Sequence, residues 1–195
     1  IEDSISSKKQ IVVSRSFGER VSSLKALKPI VSNFAVRAAE KLRNEKQKCS
    51  QVSVFVRTSP FNKNKPQHSD IKTIKLFTPT NDTRDILVAA KKGLLPIFRL
   101  GYDYAKAGII LNNFSNELIM QRSLFKDPNE PKENTKFMRY IDQMNTYENQ
   151  IYFASQNIKR WSPMKQNMTS PKYTTNWYEL PKVNSVSYTH LTLPT

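Results

Sequence analysis

One long amphipathic helix limits the folds open to this chain more than any other feature. Between Ser22 and Lys46, apolar side chains recur every three or four residues, and Lys and Arg lie opposite them. The apolar positions are Leu24, Leu27, Val31, Phe34, Ala38 and Leu42. A helix with one apolar stripe has to bury that stripe against another layer of structure. The segments around it should therefore supply a sheet or further helices.

Four segments around this helix have the β-branched residues and alternation of strands. They are residues 8–17, 51–58, 71–77 and 107–114. A second helix starts near Asp82 and Asp85, and Pro96 should kink it or end it early because proline cannot donate a helical hydrogen bond. The order βαββαβ predicts an α+β fold, in which two helices cover one face of a four-stranded sheet and the other face stays open.

Composition divides the chain into five parts. We expect a linker at residues 1–7, the βαββαβ domain at 8–114, a second linker at 115–134, a small α+β extension at 135–183 and a non-native tail at 184–195. Within the extension, residues 135–145 have helical spacing and residues 150–158 could form a short strand. The chain has no initiator Met. We therefore expect it to be a piece of a longer protein.

Positive charge is concentrated in the first part of the chain. The net charge is +15, and residues 1–112 carry 21 Lys and Arg against 9 Asp and Glu. Such a surface is typical of proteins that bind a phosphate polymer or an anionic membrane. Alternation alone does not fix which strand residues face outward. The side chains that could reach phosphates are Arg15, Arg20, Arg57, Thr58, Lys63, Lys65, Lys72 and Lys75.

A short run after the domain has the character of a docking peptide. Residues 121–125 read Gln-Arg-Ser-Leu-Phe. Gln121 offers one amide, and Leu124 and Phe125 offer two apolar anchors for a small pocket on a partner. The alternative is that Leu124 and Phe125 pack back onto their own domain.

The sequence lacks the residue patterns that are typical of a catalytic site. No pair of carboxylates lies in a strand context suited to two metal ions. His68 and His190 are far apart in sequence, and we interpret both as surface side chains. The four glycines do not form a phosphate-binding loop. This part of the protein should bind rather than catalyse, with no cofactor of its own.

Two features bear on the compartment. Cys49 is the single cysteine, so no disulfide can form within the chain, and we expect this thiol to be packed in the core. No apolar run approaches the ~18 residues of a membrane span. We therefore expect a cytoplasmic protein without a membrane partner.

Six short segments, taken in their order along the chain, are specific enough to indicate a protein family. The segments are residues 14–20 (SRSFGER), 37–43 (RAAEKLR), 57–61 (RTSPF), 76–80 (LFTPT), 106–109 (KAGI) and 170–175 (SPKYTT). Together they closely resemble the C-terminal part of the UmuC family of Y-family translesion DNA polymerases. The resemblance covers about residues 8–183.

The resemblance carries implications for fold and function. It implies that residues 8–114 are a little-finger domain, which holds duplex DNA through the major groove, and it adds Ser16 to the DNA-binding residues above. It also implies that Gln121, Leu124 and Phe125 bind the sliding β clamp. Processed UmuD dimer and RecA are further implied partners. The Mg²⁺ chemistry of the polymerase would belong to a palm domain that this sequence does not contain.

An RNA-recognition module is the alternative, because it shares the βαββαβ order. Such modules stack bases on aromatic side chains of two central strands. Residues 71–77 (IKTIKLF) have no glycine and one aromatic side chain, which disfavours this alternative.

Overall fold

The computed structural model of the 195-residue chain describes residues 8–62, 64–117, 135–148, 151–156 and 168–182. The chain divides into two compact units, Ile1–Met164 and Lys165–Thr195. The predicted docking run, Lys63, the residue 1–7 linker and the residue 184–195 tail lie outside the described residues.

The first unit begins with the predicted order βαββαβ. The strands are β1 (Gln10–Val21), β2 (Gln47–Thr58), β3 (Ser69–Thr80) and β4 (Tyr104–Asn116). The helices are α1 (Leu24–Asn44) and α2 (Thr83–Ile97), followed by α3 (Thr135–Glu148). The α+β prediction is confirmed. β3 and β4 extend beyond both predicted ends, β2 begins earlier than predicted, and β1 begins and ends later than predicted.

Local side-chain chemistry starts both domain helices. The Ser23 hydroxyl accepts a hydrogen bond from the Ala26 N–H (3.2 Å), and the Asp82 carboxylate accepts one from the Arg84 N–H (2.8 Å). These groups satisfy helix N–H donors that have no partner within the helix. Pro96 lies in the last turn of α2, which ends at Ile97. Because only one helical residue follows the proline, the hydrogen bond lost with its N–H lies at the end of the helix and does not kink it.

The four strands form one antiparallel sheet in the order β1-β4-β2-β3. The central strands are therefore β4 and β2, and the edge strands are β1 and β3. Both helices cover one face, where Val52, Val54 and Val56 of β2 are fully buried. Gly93 lets α2 approach this face, because a Cβ there would lie 3.2 Å from Val54 Cγ2.

Helix α3 belongs to the same unit as the sheet. Its Met138 and Ile141 are buried, and Phe153 beyond it packs against the core. Residues 151–156 form a turn instead of the predicted short strand; that prediction is wrong for these residues. The Asn145 side chain hydrogen bonds both the N–H and the carbonyl of Ile151, which fixes the turn.

Residues 168–182, the described part of the second unit, contain a short 3-10 helix, Trp177–Glu179. The Asn176 side chain accepts the Tyr178 N–H at its start (3.2 Å). Hydrogen bonding from the Lys172 backbone N–H lowers the pKa of Glu179. Trp177 and Tyr178 are largely exposed, so the described part of this unit buries little apolar surface.

Two single-residue predictions have opposite outcomes. Cys49 is buried, as predicted. The interpretation of His68 as a surface side chain is wrong. His68 is 9% exposed, and its Nδ1 lies 3.2 Å from the Tyr104 hydroxyl, because the β2–β3 loop folds back over Tyr102 and Tyr104.

Candidate nucleic-acid interface

Strand register decides which side of the sheet each residue occupies. Residues paired directly across an antiparallel ladder share a face, and neighbours along a strand alternate. The row Ile11, Leu111, Val52 and Ile74 faces the helices, because its central members are fully buried. The intervening rows therefore define the other side, which we call the open face.

Four rows make up the open face. In the order β1, β4, β2, β3, they are Ser16, Lys106, Arg57 and Ser69; Ser14, Gly108, Phe55 and Ile71; Val12, Ile110, Ser53 and Thr73; and Gln10, Asn112, Gln51 and Lys75. None of these residues is acidic. The first row carries two cations, the last carries one cation with three amides, and the middle rows are apolar or hydroxylic.

The centre of the open face is closely packed. A Cβ on Gly108 would lie 2.6 Å from a Phe55 ring atom and 2.4 Å from Ser14 Cβ. Glycine is thus the residue that lets the Phe55 ring lie across β4. Beside it, the Ser53 and Thr73 hydroxyls hydrogen bond across the strands (2.7 Å).

The predicted DNA-binding residues do not all share this face. Ser16, Arg57 and Lys75 are exposed on it. Arg15 and Lys72 are exposed at the two edges, but they pair with Ala107 and Val54 in rows that face the helices. The sheet therefore places Lys72 and Lys75 on opposite sides.

Three other predicted contacts have different surroundings. Arg20 is exposed in the stretch where the β1–β4 register shifts. Thr58 is buried, and its hydroxyl accepts the His68 N–H (3.0 Å). Lys65 is exposed and paired with Asp103 (2.6 Å), which reduces the net charge of that loop.

Sequence reasoning missed Lys106, which lies beside Arg57 in the first row of the open face. It precedes the predicted strand 107–114, whereas β4 begins at Tyr104. Its alternation with the buried residues Ala105 and Ala107 is the signal that could have identified it. The amides of Gln10, Gln51 and Asn112 were missed because no local pattern brings three strands together.

The groups with displaced pKa values serve the fold. Burial raises the pKa of Cys49 to about 12. Burial also raises the pKa of Tyr104, whose hydroxyl accepts the Arg99 N–H (2.9 Å). Burial raises the pKa of Asp85, which accepts a hydrogen bond from the Thr80 hydroxyl (2.9 Å). These contacts tie loops and helix ends to the sheet.

The described part of the chain has neither a cluster of metal ligands nor a helix that could span a membrane. There, no three His, Cys, Asp or Glu side chains come together in a way that could hold a metal ion. Within the same ranges, no helix is both long and apolar enough to cross a bilayer.

The described domain is an α+β domain of order βαββαβ with a basic open sheet face, and comparison with known families specifies its family. Residues 8–124 match the impB/mucB/samB family C-terminal domain. The chain belongs to this family, and the resemblance drawn from its motifs is confirmed. Residues 135–183 match a domain of unknown function, DUF4113.

Individual relatives cover nearly the whole chain. UmuC of Salmonella typhimurium is 41% identical over 185 residues, which are 94% of this chain and 44% of that protein. SamB of the same organism is 41% identical, and MucB of Escherichia coli is 42% identical, each over 93% of this chain and 43% of the relative. The chain therefore spans less than half the length of these relatives.

A solved structure is also similar. It is a complex of the beta-clamp processivity factor with the little finger domain of PolIV. The similarity covers 59% of this chain and 97% of that chain, with a TM-score of 0.39 and 14% identity.

Proposed function

We propose that this chain is the DNA-gripping and clamp-docking C-terminal part of an error-prone translesion DNA polymerase. One observation carries the proposal: an acid-free sheet face with Arg57 and Lys106 at one end and Lys75 at the other. Membership of the impB/mucB/samB family supports it. The chain adds grip and position, and the Mg²⁺-dependent chemistry would belong to a palm domain elsewhere in the longer protein.

The spacing of the charged rows suits a duplex. Arg57 and Gln51 lie six residues apart along β2, which corresponds to about 20 Å at ~3.4 Å per residue. A B-DNA major groove is about 12 Å wide. Cations at the two ends of the face can therefore reach phosphates on both sides of one groove, while the middle rows lie over it. Such contacts give affinity without sequence preference.

The RNA-recognition alternative loses support from the strand order. The segment Ile71–Phe77, which would have to supply the stacking signature, lies on the edge strand β3. On the central strands, the open face carries one aromatic side chain, Phe55, and its ring lies against Gly108. On these two central strands, successive bases would find one ring rather than a row of them.

Methyl NMR tests the DNA-binding part of the proposal. Val12 and Ile71 are exposed on the open face, and Val88 and Leu95 are about equally exposed on α2. Adding a primer–template duplex should shift the methyl signals of Val12, Ile71 and Ile110, and leave those of Val88 and Leu95 in place. Shifts confined to Val88 and Leu95 would place the duplex on the helices and refute the proposed interface.

Clamp docking through Gln121, Leu124 and Phe125 is the second part of the proposal. It rests on the peptide pattern and on the family. Calorimetry of the full chain with a bacterial β clamp should give binding that a Leu124→Ala/Phe125→Ala variant loses. A Ser123→Ala variant is the matched control, because it keeps both apolar anchors. Equal binding by the double variant would remove this peptide from the account. Processed UmuD and RecA stay predicted partners.

A further inference from the structure

Helix α3 lies in the segment that matches the domain of unknown function, yet part of its surface is buried in the first unit. Met138 is 1% exposed and Ile141 is 8% exposed. Beyond the helix, the Gln156 side chain donates a hydrogen bond to the Asn33 side chain of α1 (3.0 Å). Residues 135–148 and 151–156 are thus attached to the helical layer at several points.

A buried arginine makes the strongest of these attachments. The Arg43 side chain at the end of α1 is 2% exposed. Its Nε and Nη2 donate to the two Asp142 carboxylate oxygens at 2.6 and 2.7 Å. Its Nη1 donates to the Asn81 carbonyl (2.7 Å) and the Thr83 hydroxyl (2.8 Å). Without Asp142, a buried guanidinium would keep only neutral acceptors, which is strongly unfavourable.

Asn81 connects the Arg43 contact to the residues on either side of segment 118–134. Its amide nitrogen donates to the Glu117 carboxylate (3.3 Å), and its amide oxygen accepts the Thr135 hydroxyl (3.1 Å). Arg139 of α3 pairs with the same Glu117 carboxylate (2.6 Å). The residues immediately before and after the segment therefore meet at one side chain.

We propose that α3 is a brace of the family's C-terminal domain, locked in place by the Arg43–Asp142 pair. Its interaction surface is the helical layer around Arg43 and Asn81, and the occupant is α3 (Thr135–Glu148) of the same chain. The brace and Asn81 hold the two borders of residues 118–134 together. The first helix of the domain of unknown function is then a structural part of the preceding domain rather than a separate binding module.

The brace has a consequence for docking that rests on the proposed function. If residues 121–125 bind a clamp, the peptide is carried between two points fixed to the DNA-binding domain and not on a free tail. Such a tether restricts the volume that the peptide can search and so sets its effective concentration near the partner. The brace itself does not depend on clamp or DNA binding.

Distance measurement between two spin labels tests the brace. Cys49 is buried with a raised pKa, so cysteines introduced at the exposed positions Lys25 and Gln143 can be labelled selectively. Pulsed electron resonance on the full chain without DNA or clamp should give one narrow distance distribution. Asp142→Ala should broaden it severalfold, because α3 loses its charged anchor. A control pair at Lys25 and Lys92, both in the domain, should stay narrow in either background.

Two outcomes would overturn the proposal. A broad Lys25–Gln143 distribution in the unmutated background would show that α3 is not fixed to the domain. A narrow distribution that Asp142→Ala leaves unchanged would show that the ion pair does not lock it. If the control pair reports general unfolding, Asp142→Asn takes the place of Asp142→Ala. It keeps a neutral acceptor for Arg43 but removes the charge of the ion pair, so the Lys25–Gln143 distribution should still broaden, and an unchanged one would overturn the proposal. Failure of DNA or clamp binding would leave these results untouched.

Discussion

At the scale of single residues, Cys49 shows how burial in the core suppresses the reactivity of a side chain. Its side chain is fully buried in the core cluster beside the valines of β2. Burial disfavours the thiolate and raises the pKa of the thiol to about 12. A thiol in this state is a small apolar core group rather than a nucleophile.

Cys49 should therefore resist thiol reagents while the protein is folded. We expect negligible labelling at pH 8 in buffer and complete labelling in denaturant. Because the folded pKa lies above the unfolded value, the protonated thiol stabilises the fold below about pH 8.5, and this contribution falls as pH rises toward 12. Chemical denaturation should show wild type losing stability relative to Cys49→Ala over that range. Rapid labelling in buffer would contradict the assigned burial.

At the scale of elements, the sheet is assembled by contacts that a sequence pattern cannot specify. Alternation along β3 does place Lys72 and Lys75 on opposite sides. Which of them faces outward depends on the partner strand, and the β2–β3 register decides in favour of Lys75. The Arg43–Asp142 pair joins residues 99 positions apart, and no local sequence pattern predicts it.

Gly108 gives a prediction for the β4–β2 contact. Gly108→Ala would press a methyl group against the Phe55 ring and Ser14 Cβ, at distances of 2.4–2.7 Å. Overpacking of this kind costs about 1–3 kcal/mol of folding free energy. Urea denaturation should show that loss. Adding Phe55→Ala should make Gly108→Ala less costly, in part only, because Ser14 stays in place. An equal cost with and without the Phe55 ring would contradict the packing described.

For the molecule as a whole, sequence and structure agree on the order of elements and on the family. Strong helical spacing in α1 and β-branched strands made βαββαβ predictable from local chemistry. The composition of the open face was harder to predict from the sequence, because the order β1-β4-β2-β3 is a long-range property. For this reason, Lys106 was not among the predicted DNA-binding residues, whereas Thr58, which is buried, was. His68 was misassigned because its partners Tyr102 and Tyr104 lie far along the chain.

The most direct test of the central claim is the salt dependence of duplex binding by the full chain. Each lost phosphate contact should reduce the slope of log affinity against log salt by about 0.9. Arg57→Gln/Lys75→Gln removes two cations from the open face and should flatten the slope by about 1.8. Lys91→Gln/Lys92→Gln removes the same charge from exposed positions on α2 and should leave the slope nearly unchanged. Equal flattening by both variants would contradict an interface on the open face.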